Sequence, residues 1–123
     1  MIAGIGIDTT EIERMEHACR RETFVLRVFT ENERRQAGGS SSRLAGDFAV
    51  KEAVSKALGT GFRDFGPTDI EALRDELGAP YCILYGKAKE RADSLGIVRI
   101  HVSITNTKTE ATAFAVAERQ DQP

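Results

Sequence analysis

The spacing of apolar positions changes character along the chain, and each change predicts a different element. Ile2, Ile5 and Ile7 give the Gly-rich residues 1–7 the pattern of a short strand that stops at Asp8. Thr10 with Glu13, and again Thr30 with Glu33, have the spacing at which a hydroxyl and a carboxylate satisfy each other's orphan backbone donors. A helix is expected to start at each. The stretch between them, to about Phe29, reads as helical, with Phe24, Leu26, Val28 and Phe29 as its apolar positions. Residues 38–42, GGSSS, form a loop short enough to lie within a domain. From Arg43 to Leu58, apolar residues Leu44, Ala45, Phe48, Ala49, Ala53, Val54, Ala57 and Leu58 recur at spacings of three and four. That is the period of an amphipathic helix, and the Gly59-Thr60-Gly61 turn ends it.

Downstream the period shortens to two. Residues 69–74 and 81–85 read as strands of a hairpin around the turn-prone DELGAP segment, and 87–95 as a short helix closed by Gly96. Ile100, Val102 and Ile104 alternate with His101, Ser103 and Thr105, as in a half-buried strand. After a turn at 106–108, residues 111–117 form a last strand with Phe114 and Val116. Helices come early and hairpin-linked strands late. The expected fold is therefore α+β, one small domain with a largely antiparallel sheet packed against the long central helix. Its bounds are set at 1–119, with 120–123 as a disordered tail. Gly4 and Gly6 open no GxGxxG fingerprint, so a dinucleotide fold is not indicated.

Composition narrows the function. The chain has 123 residues, enough for one domain, and 17 Lys+Arg against 19 Asp+Glu leave a net charge of −2. That balance lacks the basic excess of a nucleic-acid binder. No apolar run approaches membrane-spanning length and residues 1–15 lack a signal-peptide layout, so a cytoplasmic location is expected. Cys19 and Cys82 form no CxxC pair and suggest neither a metal cage nor a disulfide framework.

The chemistry concentrates on the long helix. Helical geometry puts Lys51, Glu52, Ser55 and Lys56 on one polar stripe that runs into Gly59-Thr60-Gly61, a turn able to present backbone N–H groups to a phosphate. Glu52 and Lys56 equally suit an ordinary i,i+4 solvent pair. Asp8, at the end of the first strand, suits either a helix cap or a metal ligand. Together, Asp8 and Glu52 match the way Mg²⁺ is held, by one or two carboxylates, waters and substrate phosphate oxygens.

Four blocks, GIGIDTTEIERM, FAVKEAVSKALGTG, DELGAPY and IHVSITNTK, resemble in order and spacing the signature blocks of the holo-acyl-carrier-protein synthase family. The resemblance implies a 4′-phosphopantetheinyl transferase, moving phosphopantetheine from coenzyme A to a serine of apo acyl carrier protein with Mg²⁺, in support of fatty acid biosynthesis. It implies a homotrimer with sites between subunits. By resemblance, Asp8 and Glu52 bind the metal, and Asp8, Glu52 and Lys56 form the catalytic set. Lys51, Ser55, Lys56, Gly59, Thr60, Gly61, Ser103, Thr105, Asn106 and Thr107 line the coenzyme site, with Ser103, Thr105 and Thr107 approaching from a neighbouring subunit. Arg14, Arg20 and Arg21 face the acidic carrier; interleaved with Glu11, Glu13 and Glu16, they equally suit a solvated face. Two departures stand out: Asn106 where the family often has His, and Asp47 where Arg is common, with Arg43 one turn earlier as a possible replacement cation. They keep open an alternative, a non-catalytic module that binds coenzyme A or a nucleotide.

Overall fold

A computed structural model describes residues 1–121. Strand β1 (Ile2–Glu11) pairs antiparallel with β5 (Glu110–Arg119), and β5 with β4 (Ile97–Asn106), in the sheet order β1-β5-β4. Every second residue of β5, namely Ala111, Ala113, Ala115 and Ala117, is fully buried, whereas Phe114 between them is exposed. This inner alanine face receives helix α4 (Ser41–Ala57), which contributes its own Ala49, Ala53 and Ala57 to the core. β1 makes the closest approach. A Cβ built on Gly4 would fall inside the carbonyl oxygen of Ala57, and one on Gly6 inside that of Ala53. Helix backbone thus rests directly on strand backbone, and Asp8 is the next residue on that face.

The first strand is longer than its apolar pattern predicts. Asp8, Thr9, Thr10 and Glu11 pair with Ala113, Thr112, Ala111 and Glu110, because β5 extends far enough to supply partners. The Thr10–Glu13 capping box therefore does not form. Helix α1 (Ile12–Ala18) starts after Glu11, with no side-chain cap, and Asp8 caps nothing. The expected helix to Phe29 is two helices, since Cys19–Arg21 turn the chain into α2 (Glu22–Val28). The Thr30–Glu33 box does open α3 (Glu31–Ala37), and Ser40 caps α4 by accepting from the Arg43 N–H.

The strands fall into two antiparallel sheets. The second is the hairpin of β2 (Ile70–Arg74) and β3 (Pro80–Leu84), reached through a 3-10 turn at Pro67–Asp69 and followed by α5 (Gly86–Ser94). The outer edge of β2 is closed by side chains. Glu33 accepts from the Ala72 N–H at 2.7 Å, Gln36 pairs with both backbone groups of Arg74, and Lys51 donates to the Ile70 carbonyl at 2.7 Å. An edge strand left with these groups unpaired would invite another chain. Beyond β5, Asp121 accepts a hydrogen bond from the N-terminal amine at 2.9 Å; the rest of the expected tail, residues 122–123, lies outside the described residues.

Candidate active site

The contact that sets Gly6 against Ala53 brings Asp8 and Glu52 into one cleft. The cleft holds about 440 Å³, with Asp8, Thr10 and Glu52 as polar lining and Met15, Phe24 and Phe48 as apolar wall. Lys56 Nζ donates to the Ile7 carbonyl at 2.9 Å and lies 3.4 Å from Asp8 Oδ1. Thr10 donates its hydroxyl to Asp8 Oδ2 at 3.3 Å. Burial first, and then the charge of Asp8, push Glu52 above the ordinary glutamate range, while Lys56 opposes the shift.

Two mutually repelling carboxylates beside one half-exposed ammonium gain from a divalent cation between them. Among the described residues they belong to no cluster of three or more His, Cys, Asp or Glu side chains able to cage a metal. That donor set suits Mg²⁺, which keeps several waters and takes substrate phosphates, better than a tetrahedral zinc site.

The rest of the expected stripe is not on this face. Lys51 is fully buried, 2.8 Å from Glu33 Oε2, and donates to the Pro67 and Ile70 carbonyls. Its ammonium lies 5.8 Å from the Phe29 ring centroid, and burial lowers its pKa although Glu33 opposes that. Lys51 is an internal tether in this chain, turned away from the cleft. Ser55 is equally buried and donates to the Glu52 carbonyl at 2.7 Å. The Gly59-Thr60-Gly61 turn spends its glycine donors internally, Gly59 N–H on Lys56 and Gly61 N–H on Ser55. A left-handed φ of 85° at Gly59 makes that closure possible.

The profile of the 4′-phosphopantetheinyl transferase superfamily matches residues 4–117. The chain belongs to that superfamily. It is 49% identical over 118 residues to the holo-[acyl-carrier-protein] synthase of Lachnoclostridium phytofermentans, covering 96% of this chain and 97% of the relative. The crystal structure of the synthase from Neisseria meningitidis superposes with a TM-score of 0.88 at 33% identity, over 97% of this chain and 100% of that one. The synthase from Bacillus anthracis, in complex with CoA (3′,5′-ADP), gives a TM-score of 0.81 at 37% identity, over 98% and 99% of the two chains.

Within this transferase, Ser103 and Thr105 are exposed on the face of β4 that points away from α4, in register with Phe114 and Thr112. They do not meet the Asp8–Glu52 cleft of their own chain. Asn106 donates to Ser42 Oγ at 3.0 Å, and the Thr107 hydroxyl accepts from the Thr109 and Glu110 N–H groups, shaping the β4–β5 turn. Asp47 is buried 3.5 Å from Arg74, and burial pushes its carboxyl up to about 7. Arg43 donates to the Gln36 carbonyl. Arg14 lines the cleft, 4.0 Å from Glu11, whereas Arg20 and Arg21 are exposed beyond the end of α1. Sequence reasoning missed the apolar wall and Thr10. Phe48 carried a signal, since it lies one helical turn before Glu52.

Proposed function

We propose that this chain is a holo-[acyl-carrier-protein] synthase, residues 1–119 forming one transferase domain. It moves 4′-phosphopantetheine from coenzyme A to a serine of an apo acyl carrier protein in the cytoplasm, in support of fatty acid biosynthesis. The observation that carries this reading is the convergence of Asp8 and Glu52 on one cleft, with Lys56 beside Asp8, in a chain whose relatives carry that name. The serine oxygen attacks the phosphorus that bears pantetheine, a P–O bond of the pyrophosphate breaks, and adenosine 3′,5′-bisphosphate leaves. Asp8 and Glu52 hold Mg²⁺, which when bound neutralises charge growing on the phosphoryl oxygens. Lys56, half exposed beside Asp8, supplies a second positive charge on the same side. Glu52, on the cleft wall, accepts the serine proton directly or orients a water that does. Met15, Phe24 and Phe48 exclude water from one wall, and Arg14 at the cleft, with Arg20 and Arg21, offers charge to an acidic carrier.

The assembly we propose is a homotrimer. Ile5, Ile7 and Phe114 are 60%, 55% and 42% exposed on the outer sheet face, a contiguous apolar surface that a neighbouring copy would cover. Ser103, Thr105, Asn106 and Thr107 would then serve a neighbour's coenzyme, and the coenzyme would extend from the cleft past Gly59, Thr60 and Gly61 at the end of α4. No described helix is long and apolar enough to cross a membrane.

Incubation with coenzyme A, Mg²⁺ and an apo carrier tests the reading. The carrier should gain one phosphopantetheine, and Asp8→Asn or Glu52→Gln should slow the gain about a hundredfold or more in a folded chain. Coenzyme A binding with no mass gain on any of several carriers would overturn it in favour of a non-catalytic binding module.

A further inference from the structure

β1 and α4 run in opposite directions with their backbones in contact, so that a step of two residues along the strand matches a step of four along the helix, Gly4 to Ala57 and Gly6 to Ala53. The rises agree, about 6.7 Å for two strand residues and about 6 Å for four helical ones. The ladder therefore stays in step for one more rung, where Asp8 comes level with the turn of α4 that carries Glu52. Aspartate has the shortest acidic side chain. It reaches the cleft only because no Cβ stands between strand and helix at Gly6, where the Ala53 carbonyl and the Ala57 N–H fill the place a methyl would take. A methyl there pushes the two backbones apart next to Asp8. At Gly4 the same clash arises one rung farther from the carboxylates.

We propose that Gly6 is a positioning residue which fixes the separation of Asp8 and Glu52 and so sets the affinity of the divalent-cation site. The inference rests on the reading of Asp8 and Glu52 as ligands. Mg²⁺ tolerates little departure from octahedral geometry at about 2.1 Å, so a small widening of the carboxylate pair is felt directly in affinity.

Gly4 is the internal control. Gly4→Ala and Gly6→Ala introduce the same clash with a helix carbonyl and should lower thermal stability alike. Mn²⁺ titrated into the full-length chain with coenzyme A present, followed by loss of the free-ion EPR signal, reads the site without turnover. Gly6→Ala is expected to weaken Mn²⁺ binding about tenfold or more and Gly4→Ala less than about threefold, in the range seen when supporting residues of metal sites are changed. The double variant Gly6→Ala/Asp8→Glu, whose longer side chain spans the widened gap, should regain affinity, whereas Asp8→Glu alone should lose it. Equal weakening by Gly4→Ala and Gly6→Ala, or no weakening by Gly6→Ala, overturns the proposal. If neither glycine variant folds, Asp8→Glu decides: affinity at or above that of the unchanged chain means the spacing is not tight. Asp8→Asn separates the two claims, because unchanged Mn²⁺ binding in that variant removes the ligand reading itself.

Discussion

Glu52 and Lys51 are neighbours in the chain with opposite fates. Glu52 opens into the cleft, where burial and Asp8 raise its pKa. A cation and a proton compete for that carboxylate, so the Mg²⁺ concentration needed for half-maximal transfer should rise on acidification, starting above the pH at which an ordinary glutamate protonates. Glu52→Gln should remove this dependence and lower transfer about a hundredfold or more, measured as carrier mass gain against pH. Without metal the same shift disfavours folding as pH rises, because the native carboxyl holds its proton more tightly than the unfolded one. Lys51 instead spends its charge indoors. Lys51→Met leaves Glu33 charged, buried and short of its partner, and should cost about 3–5 kcal/mol in urea unfolding. Lys51→Met/Glu33→Gln should recover part of that loss, since the uncompensated charge is gone while the amide oxygen can still accept from an N–H.

At the scale of elements, α4 is the hub, touching the three-stranded sheet on one side and α3 and β2 on the other. Asp47 lies on that second side, facing Arg74 of β2, Glu33 of α3, and Lys51 and Arg43 of its own helix. Its carboxyl is raised to about 7, so below that value the native chain keeps a proton that the unfolded chain releases near pH 4. Stability should fall between those limits as pH rises, then level off; Asp47→Asn should flatten the slope, seen in urea midpoints at pH 5 and 8. On β5 the residues that stood out, Phe114 and Val116, lie on the outer face and the buried row is alanine; the period of four and three on α4 and the period of two on β4 were legible because each buries one apolar face. The second buried face of α4 was not. A helical pattern shows that Lys51 and Ser55 are polar but cannot tell solvent from an internal network, and the partner that would have betrayed Lys51 was already accounted for as the capping residue Glu33. The Thr10–Glu13 signal failed for the opposite reason, a strand partner long enough to override a local cap. Asp8 and Glu52 were paired by the chemistry of Mg²⁺ binding and by the family resemblance, since nothing periodic links a strand end to a helix far along the chain; the structure brings both to one cleft. What joins them is a pair of glycines whose missing side chains leave no pattern.

The whole molecule presents its two groups of proposed site residues on opposite faces of one sheet. Asp8 and Glu52 lie toward α4, and Ser103 and Thr105 face outward beside the exposed Ile7 and Phe114. If each site is completed by a neighbour, two defective chains can repair each other. Asp8→Asn removes the metal side of the site, and Thr105→Glu sets a negative charge where the neighbour's coenzyme phosphates would lie. Each alone should be nearly inactive while keeping its oligomeric state by size-exclusion chromatography. In hybrids formed by co-expression at equal amounts, a site is intact when Asp8 comes from one parent and Thr105 from the other, which random assembly around a closed ring gives about one time in four. Mass gain on the carrier should therefore return to roughly a quarter of the unaltered rate per site. Activity in the hybrids no greater than the sum of the two separate preparations means that each chain builds its site alone, and the outward residues of β4 then have no part in holding coenzyme A.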